Sequence, residues 1–258
     1  MNSAAPTWLA TAEALAKAFS DTHSVVMRLT DRQLSAAFEI GTLHALLKFY
    51  ASQGYVLTPQ NLIEGSEYRY LTSPSGNPAN FSFVQAVGAD GEFEIRQQVR
   101  VQSHVDEDIA FTPDIVVLLK GAAIDDSKRV DYASGKRPYY RVASSSVVAA
   151  HECKSMNPFP ELLVSFIGML VAAHEWYPAG PGFQYTHQDG HLGPTLFVGR
   201  TARSIHLRMI SAMQKAYRLN IICGLHEGTW SLIDAKNRML RLAAGLPATV
   251  ADDDAIPF

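Results

Sequence analysis

The chain has 258 residues, 47% of them hydrophobic and 18% charged, enough apolar side chain for one sizeable core. With 22 Lys and Arg against 25 Asp and Glu, the formal net charge is −3, so no global basic field points to nucleic acid or an anionic membrane, and any such grip must come from a local patch. The longest apolar stretch, LLVSFIGMLVAA, is too short to cross a bilayer and reads as a core helix.

Residues 7–20 predict a short amphipathic helix on the outside of the core, within an N-terminal helical extension over 1–30. Its opening, MNSAAPTWLATAEALAK, lacks the basic stretch and continuous apolar run of a signal peptide. Thr30-Asp31-Arg32-Gln33 reads as a capping box for a long helix that runs to about Gln53 and stops at Gly54. Residues 58–80, with TPQ and SPSGNPAN, read as a turn-rich excursion. NFSFVQAV and EFEIRQQVRVQSH predict a hairpin around Ala89-Asp90-Gly91. FTPDIVVLLKG predicts a third strand, with its proline near the beginning, where a missing N–H is tolerated.

After a polar insertion over 121–140, SSSVVAAHECK predicts the fourth strand. A helix from Pro158 to Trp176 follows, apolar nearly all round and therefore expected against the sheet. A glycine-rich loop then leads to a strand (TLFVG), a helix (ARSIHLRMISAMQKAY) and a last strand (LNIICGL). This order predicts an α/β domain with a mixed central sheet over 31–245, then an acidic, flexible tail over 246–258. Cys153 and Cys223 sit inside apolar runs, as reduced core thiols of a cytoplasmic protein do.

Strand alternation puts Glu152 and Lys154 on one face and turns His151 and Cys153 to the other. Carrying a carboxylate and an ammonium inward is costly unless they pair or bind something charged. Asp114 opens an earlier apolar strand able to neighbour this one, and Glu39 shares a helix face with Leu43, Leu46 and Tyr50, opposite Lys48. Such a cluster of acids and one lysine suits a hard divalent cation. Two other acid-x-Lys triplets lack this setting. Asp126-Ser127-Lys128 lies in the polar insertion, and Asp234-Ala235-Lys236 has no Pro-Asp strand close before it. His-Glu occurs at 151–152, 174–175 and 226–227 without completing HExxH, and no zinc-finger spacing, P-loop, Rossmann glycine pattern or Gly-x-Ser-x-Gly elbow is present.

Pro113-Asp114 followed by Glu152-Cys153-Lys154 resembles the PD-(D/E)xK signature of restriction-endonuclease-like nucleases. In that family a helix bearing a glutamate precedes the strands and a helix follows the ExK strand. Glu39 and residues 158–176 fall in those places, so the resemblance covers roughly residues 31–224. It implies a restriction-endonuclease-like core and a metal-dependent endonuclease that hydrolyses phosphodiester bonds. Asp114 and Glu152 would hold Mg²⁺ or Mn²⁺, joined by the Cys153 backbone carbonyl and by Glu39, either on the metal or one layer behind it. Lys154 would orient the attacking hydroxide or stabilise charge in the transition state. The resemblance also implies DNA ahead of RNA as substrate, and a partner chain supplying ATPase, helicase or targeting function in a bacterial defence or repair complex. The Gln-x-x-x-Tyr that RecB-like members carry after the lysine is absent from PFPELLVSFIGML, which offers only Ser165 as a polar group.

Two local basic sets are candidates for nucleic acid. Lys128, Arg129, Lys136, Arg137, Tyr139, Tyr140 and Arg141 mix cations with tyrosines in the insertion, beside the acids Asp125, Asp126 and Asp131, so a solvated surface loop is the competing reading. Arg200, Arg203 and Arg208 open the later helix, where its N-terminus favours phosphate. Three other readings of the whole remain. One is a catalytically silent binding module on the same fold, another an RNA-cleaving member, and the third a structural subunit whose Glu152–Lys154 pair is a buried salt bridge.

Overall fold

A computed structural model describes residues 7–27, 34–74, 77–124, 140–174, 192–217 and 219–226. The capping residues Thr30 to Gln33, the insertion residues Lys128, Arg129, Lys136, Arg137 and Tyr139, and the acidic tail lie outside the described residues.

Helix α1 (Thr7–His23) runs a turn longer than the sequence suggests. It buries Trp8, Ala12, Ala16 and Phe19, a stripe spaced by fours and a three, along α2 (Leu34–Ser52). On its other side α2 meets the sheet, so it is buried almost all round, and in its middle only Lys48 reaches solvent. The helix closes at Gly54, whose φ of +89° is a left-handed conformation suited to glycine.

Twelve strands are described. They are β1 (Val26–Met27), β2 (Val56–Gln60), β3 (Glu67–Tyr68), β4 (Phe83–Gly88), β5 (Gly91–Gln97), β6 (Arg100–Gln102), β7 (Ala110–Phe111), β8 (Ile115–Leu119), β9 (Arg141–Val142), β10 (Val147–Lys154), β11 (Thr195–Val198) and β12 (Asn220–Ile222). The central sheet has the order β12-β11-β10-β8-β5-β4-β2. From β2 to β10 each neighbour is antiparallel, while β10, β11 and β12 run parallel. Parallel neighbours need a crossover. Helix α3 (Pro160–Ala173) lies between β10 and β11 in the chain, and α4 (Ser204–Ala216) lies between β11 and β12. The fold is therefore mixed α/β, a mostly antiparallel sheet flanked by helices.

Both faces of the central strands β8, β10 and β11 are buried. Ile115 and Val117 of β8 join Phe38, Leu43, Leu46, Tyr50 and Phe197 in the cluster under α1 and α2. Val116 and Leu118 join Leu163, Phe166, Leu170, Leu196 and Ile210 in the cluster under α3 and α4. An uninterrupted apolar strand such as IVVLL is what two-sided burial demands.

Three departures from the sequence reading have local causes. The excursion at 58–80 contains β3 and the end of β2; Pro59 concealed β2, yet β2 is an edge strand of the sheet, where proline is tolerated. EFEIRQQVRVQSH is not one strand, because Gln98 takes φ +52° and sends β6 into a separate sheet of order β7-β6-β9. FTPDIVVLLKG divides too, into β7 and β8 on either side of Thr112-Pro113-Asp114, where proline supplies no N–H to a ladder. The small sheet docks on α3, where the Ser103 hydroxyl donates to the Ala172 carbonyl at 2.6 Å.

Leu46 is fully buried between α1 and the sheet, so Leu46→Ala should cost about 2–5 kcal/mol. Lys48→Ala on the same helix should stay within about 0.5 kcal/mol. Urea unfolding midpoints of the two variants check this.

Candidate functional site

Strands β8 and β10 pair as far as Ile115 with His151, and one step further along this register Glu152 stands opposite Asp114. There β8 has ended at Pro113-Asp114 while β10 continues to Lys154, paired now only with β11. The parting of the two strands opens a place for side chains that the rest of the sheet would exclude. Asp114 is held on three sides. Its Oδ2 accepts the Cys153 backbone N–H at 2.7 Å and the Lys154 ammonium at 3.1 Å, and its Oδ1 accepts the Gln98 amide at 2.9 Å. Lys154 Nζ also lies 2.6 Å from Glu152 Oε2.

Glu39 comes from α2 and is only 7% exposed. Its two oxygens accept from Gln97 at 3.1 Å and Gln98 at 3.2 Å. Consecutive strand residues ordinarily point to opposite faces. The left-handed turn at Gln98 breaks that alternation and lets both glutamines reach one carboxylate. Gln98 thus links Glu39 to Asp114, and the four acid and lysine residues chosen from the sequence fall in one connected cluster.

The electrostatics follow from burial. Glu39 is pushed up to about 8, first by desolvation and then by the charge of Asp114, with its two glutamine hydrogen bonds opposing. Glu152 is raised for the same two reasons, against the pull of Lys154. Burial alone would lower the Lys154 ammonium, but Asp114 and Glu152 outweigh it and hold the lysine firmly charged. Cys153 is raised by burial and by the surrounding carboxylates, so its thiol stays protonated and is no nucleophile. Two of the three carboxyl groups, Asp114 and Glu152, thus share one ammonium that is still 33% exposed, and the third, Glu39, joins them through Gln98. Near neutral pH Glu39 and Glu152 therefore tend to keep their protons, and they give them up more readily to a positive charge placed beside them. Among the described residues, no three His, Cys, Asp or Glu side chains form a group ready to hold a metal ion. Lys154 Nζ bridges Asp114 and Glu152, and Gln98 stands between Asp114 and Glu39, so an ion would enter by moving the lysine.

Arg200 and Arg203 lie on the same end of the sheet. The parallel ladder continues past β11, with the Gly199 N–H donating to the Lys154 carbonyl and the Arg200 N–H to the Met156 carbonyl. Both arginines are exposed. Arg141 sits elsewhere, in β9, where its guanidinium donates to the Glu107 carbonyl. The Ser165 hydroxyl is spent on the Leu162 carbonyl of its own helix. His151 turns to the α2 side of the sheet, its ring 5.9 Å from Phe197.

Gln97 and Gln98 were not singled out in the sequence. Their signal was the polar run Arg96-Gln97-Gln98, which puts Gln97 at a position where the alternation of EFEI and VRV calls for an apolar residue. A second unforeseen contact is His226, which stacks on Trp8 at 4.4 Å and meets the Ser155 hydroxyl at 3.2 Å, tying α1 to the residue after Lys154. Searches of known protein families, curated proteins and solved structures gave no significant match.

An acid whose folded value is raised binds more protons folded than unfolded, so stability falls as pH rises through the window from about 4.5 to about 8. In chelator, Glu39→Gln should flatten this decline relative to wild type. Urea unfolding at both ends of the window checks it, and identical slopes would mean Glu39 does not contribute.

Proposed function

We propose that this chain is a divalent-metal-dependent nuclease with a restriction-endonuclease-like core. The observation that carries the reading is Lys154 Nζ within hydrogen-bonding distance of both Asp114 and Glu152 at the point where β8 and β10 part. Element order supports it: a glutamate-bearing helix precedes the strands and a helix follows the Glu-Cys-Lys strand, as the family resemblance implies.

Asp114 and Glu152 would hold Mg²⁺ or Mn²⁺, with Glu39 steadied behind them by Gln97 and Gln98. Such an ion, when bound, lowers the pKa of a water and offsets charge on the scissile phosphate. Lys154, freed from its carboxylates, points a compact ammonium at the attacking oxygen or at a phosphate oxygen. Arg200 and Arg203 on the neighbouring turn supply the local cationic field that the net charge of −3 withholds. DNA ahead of RNA, and a partner chain with ATPase, helicase or targeting function, rest on the resemblance alone.

The same lysine bridge favours one other reading, in which Lys154 only neutralises two buried acids. Cleavage of plasmid, linear duplex, single-stranded DNA and RNA with Mg²⁺, Mn²⁺ or EDTA separates the two. As a nuclease, the protein should cut only with metal. Glu152→Gln and Lys154→Ala should each lower the rate by at least about 100-fold while still melting cooperatively. No cutting of any substrate, with both variants melting well below wild type, would instead establish a structural salt bridge.

A further inference from the structure

The turn leaving β10, Ser155-Met156-Asn157-Pro158-Phe159-Pro160, carries two apolar side chains that the core does not take up. Met156 is 47% exposed and Phe159 is 40% exposed, while Pro158 between them is buried and anchors the turn. Phe159 has φ −146° and ψ 157°, the extended conformation required of a residue before proline, and Pro160 starts α3. Two prolines therefore hold the ring out to solvent on a stiff backbone. Single exposed apolar residues are ordinary. This pair is set apart by its neighbours. The Met156 carbonyl accepts the Arg200 N–H at 3.2 Å, so the turn after β10 lies beside the turn after β11 that bears exposed Arg200 and Arg203. Both turns leave the strand ends next to Glu152 and Lys154.

We propose that Met156 and Phe159, flanked by Arg200 and Arg203, form a stacking platform for unpaired bases, so that the substrate is single-stranded or frayed nucleic acid rather than a closed duplex. The inference rests on the nuclease reading and names the substrate class of that site. Every base offers a π-face to an aromatic ring, but within a duplex those faces are covered by neighbouring base pairs. Cations alone would serve a duplex backbone equally well. An exposed, proline-stiffened ring adds affinity only where a base is free to leave its stack. Stacking is also less sensitive to salt than phosphate contacts, which suits a protein of net charge −3 with few cations at the site.

The test is fluorescence anisotropy of the full chain in EDTA with a labelled single strand, the matching blunt duplex and a duplex with a single-stranded flap. Wild type should favour the single strand and the flap. Phe159→Ala and Phe159→Leu should each weaken single-strand binding roughly tenfold and leave the salt dependence unchanged, with Phe159→Trp restoring affinity. Arg200→Ala should instead flatten the salt dependence. Because Phe159 is exposed, melting curves of these variants should match wild type, and Leu keeps apolar bulk if Ala does not. Duplex bound as tightly as single strand, single-strand binding indifferent to Phe159, or no binding of any strand would each overturn the platform. Cleavage of the same strands with Mn²⁺ separates the two claims. Cutting that ignores Phe159 defeats the platform and leaves the nuclease standing, whereas Phe159-dependent binding without cutting defeats the nuclease and supports the platform.

Discussion

Three carboxyl groups and one lysine, buried together and linked through Gln98, form the constraint on which the rest of this structure turns. Burying an unpaired carboxylate is expensive enough to unfold a marginal protein, and a buried pair seldom repays its desolvation. The chain meets that cost with specific donors. A backbone amide and a lysine serve Asp114, the same lysine serves Glu152, and two side-chain amides serve Glu39. The donors still fall short of the charge, and the raised Glu39 and Glu152 record the shortfall. A site that remains electron-rich after every internal donor is spent is suited to a cation from outside.

The layered fold is what makes such a place. Helices on both faces bury the central strands β8, β10 and β11, so along these strands charged side chains gather where β8 and β10 part. Strand β8 ends at Asp114 because Pro113 cannot continue the ladder, while β10 runs on beside β11. The switch from antiparallel to parallel pairing at β10 then sets two turns side by side at that end, one with Met156 and Phe159, the other with Arg200 and Arg203. Ligand sites in open α/β sheets commonly lie outside the carboxyl ends of parallel strands, and here the acids and the cations converge there.

Much of this was legible in the residues. The context of Glu152-x-Lys154, an apolar strand after a Pro-Asp, pointed to the pair that the fold joins, and the helical spacing of Leu43, Leu46 and Tyr50 marked Glu39 as facing inward. What stayed hidden depended on tertiary context. Pro59 argued against a strand at β2, and only the edge position removes the objection. Gln97 and Gln98 read as the middle of one long strand, since a left-handed residue other than glycine leaves no mark in the sequence. Helix α2 has a polar residue, His44, on what would be an outer face. It is buried because Phe19 of α1 covers it and Tyr70, from the segment after β3, meets it in a hydrogen bond at 2.6 Å.

The most direct measurement is a crystal structure grown with Mn²⁺ and recorded at the manganese absorption edge. The expected result is an anomalous peak between Asp114 and Glu152, with Lys154 Nζ withdrawn from the 2.6 and 3.1 Å contacts it otherwise makes. No anomalous density at saturating Mn²⁺, with the lysine still bridging the two acids, would contradict a metal-dependent site and leave Lys154 as their counter-ion.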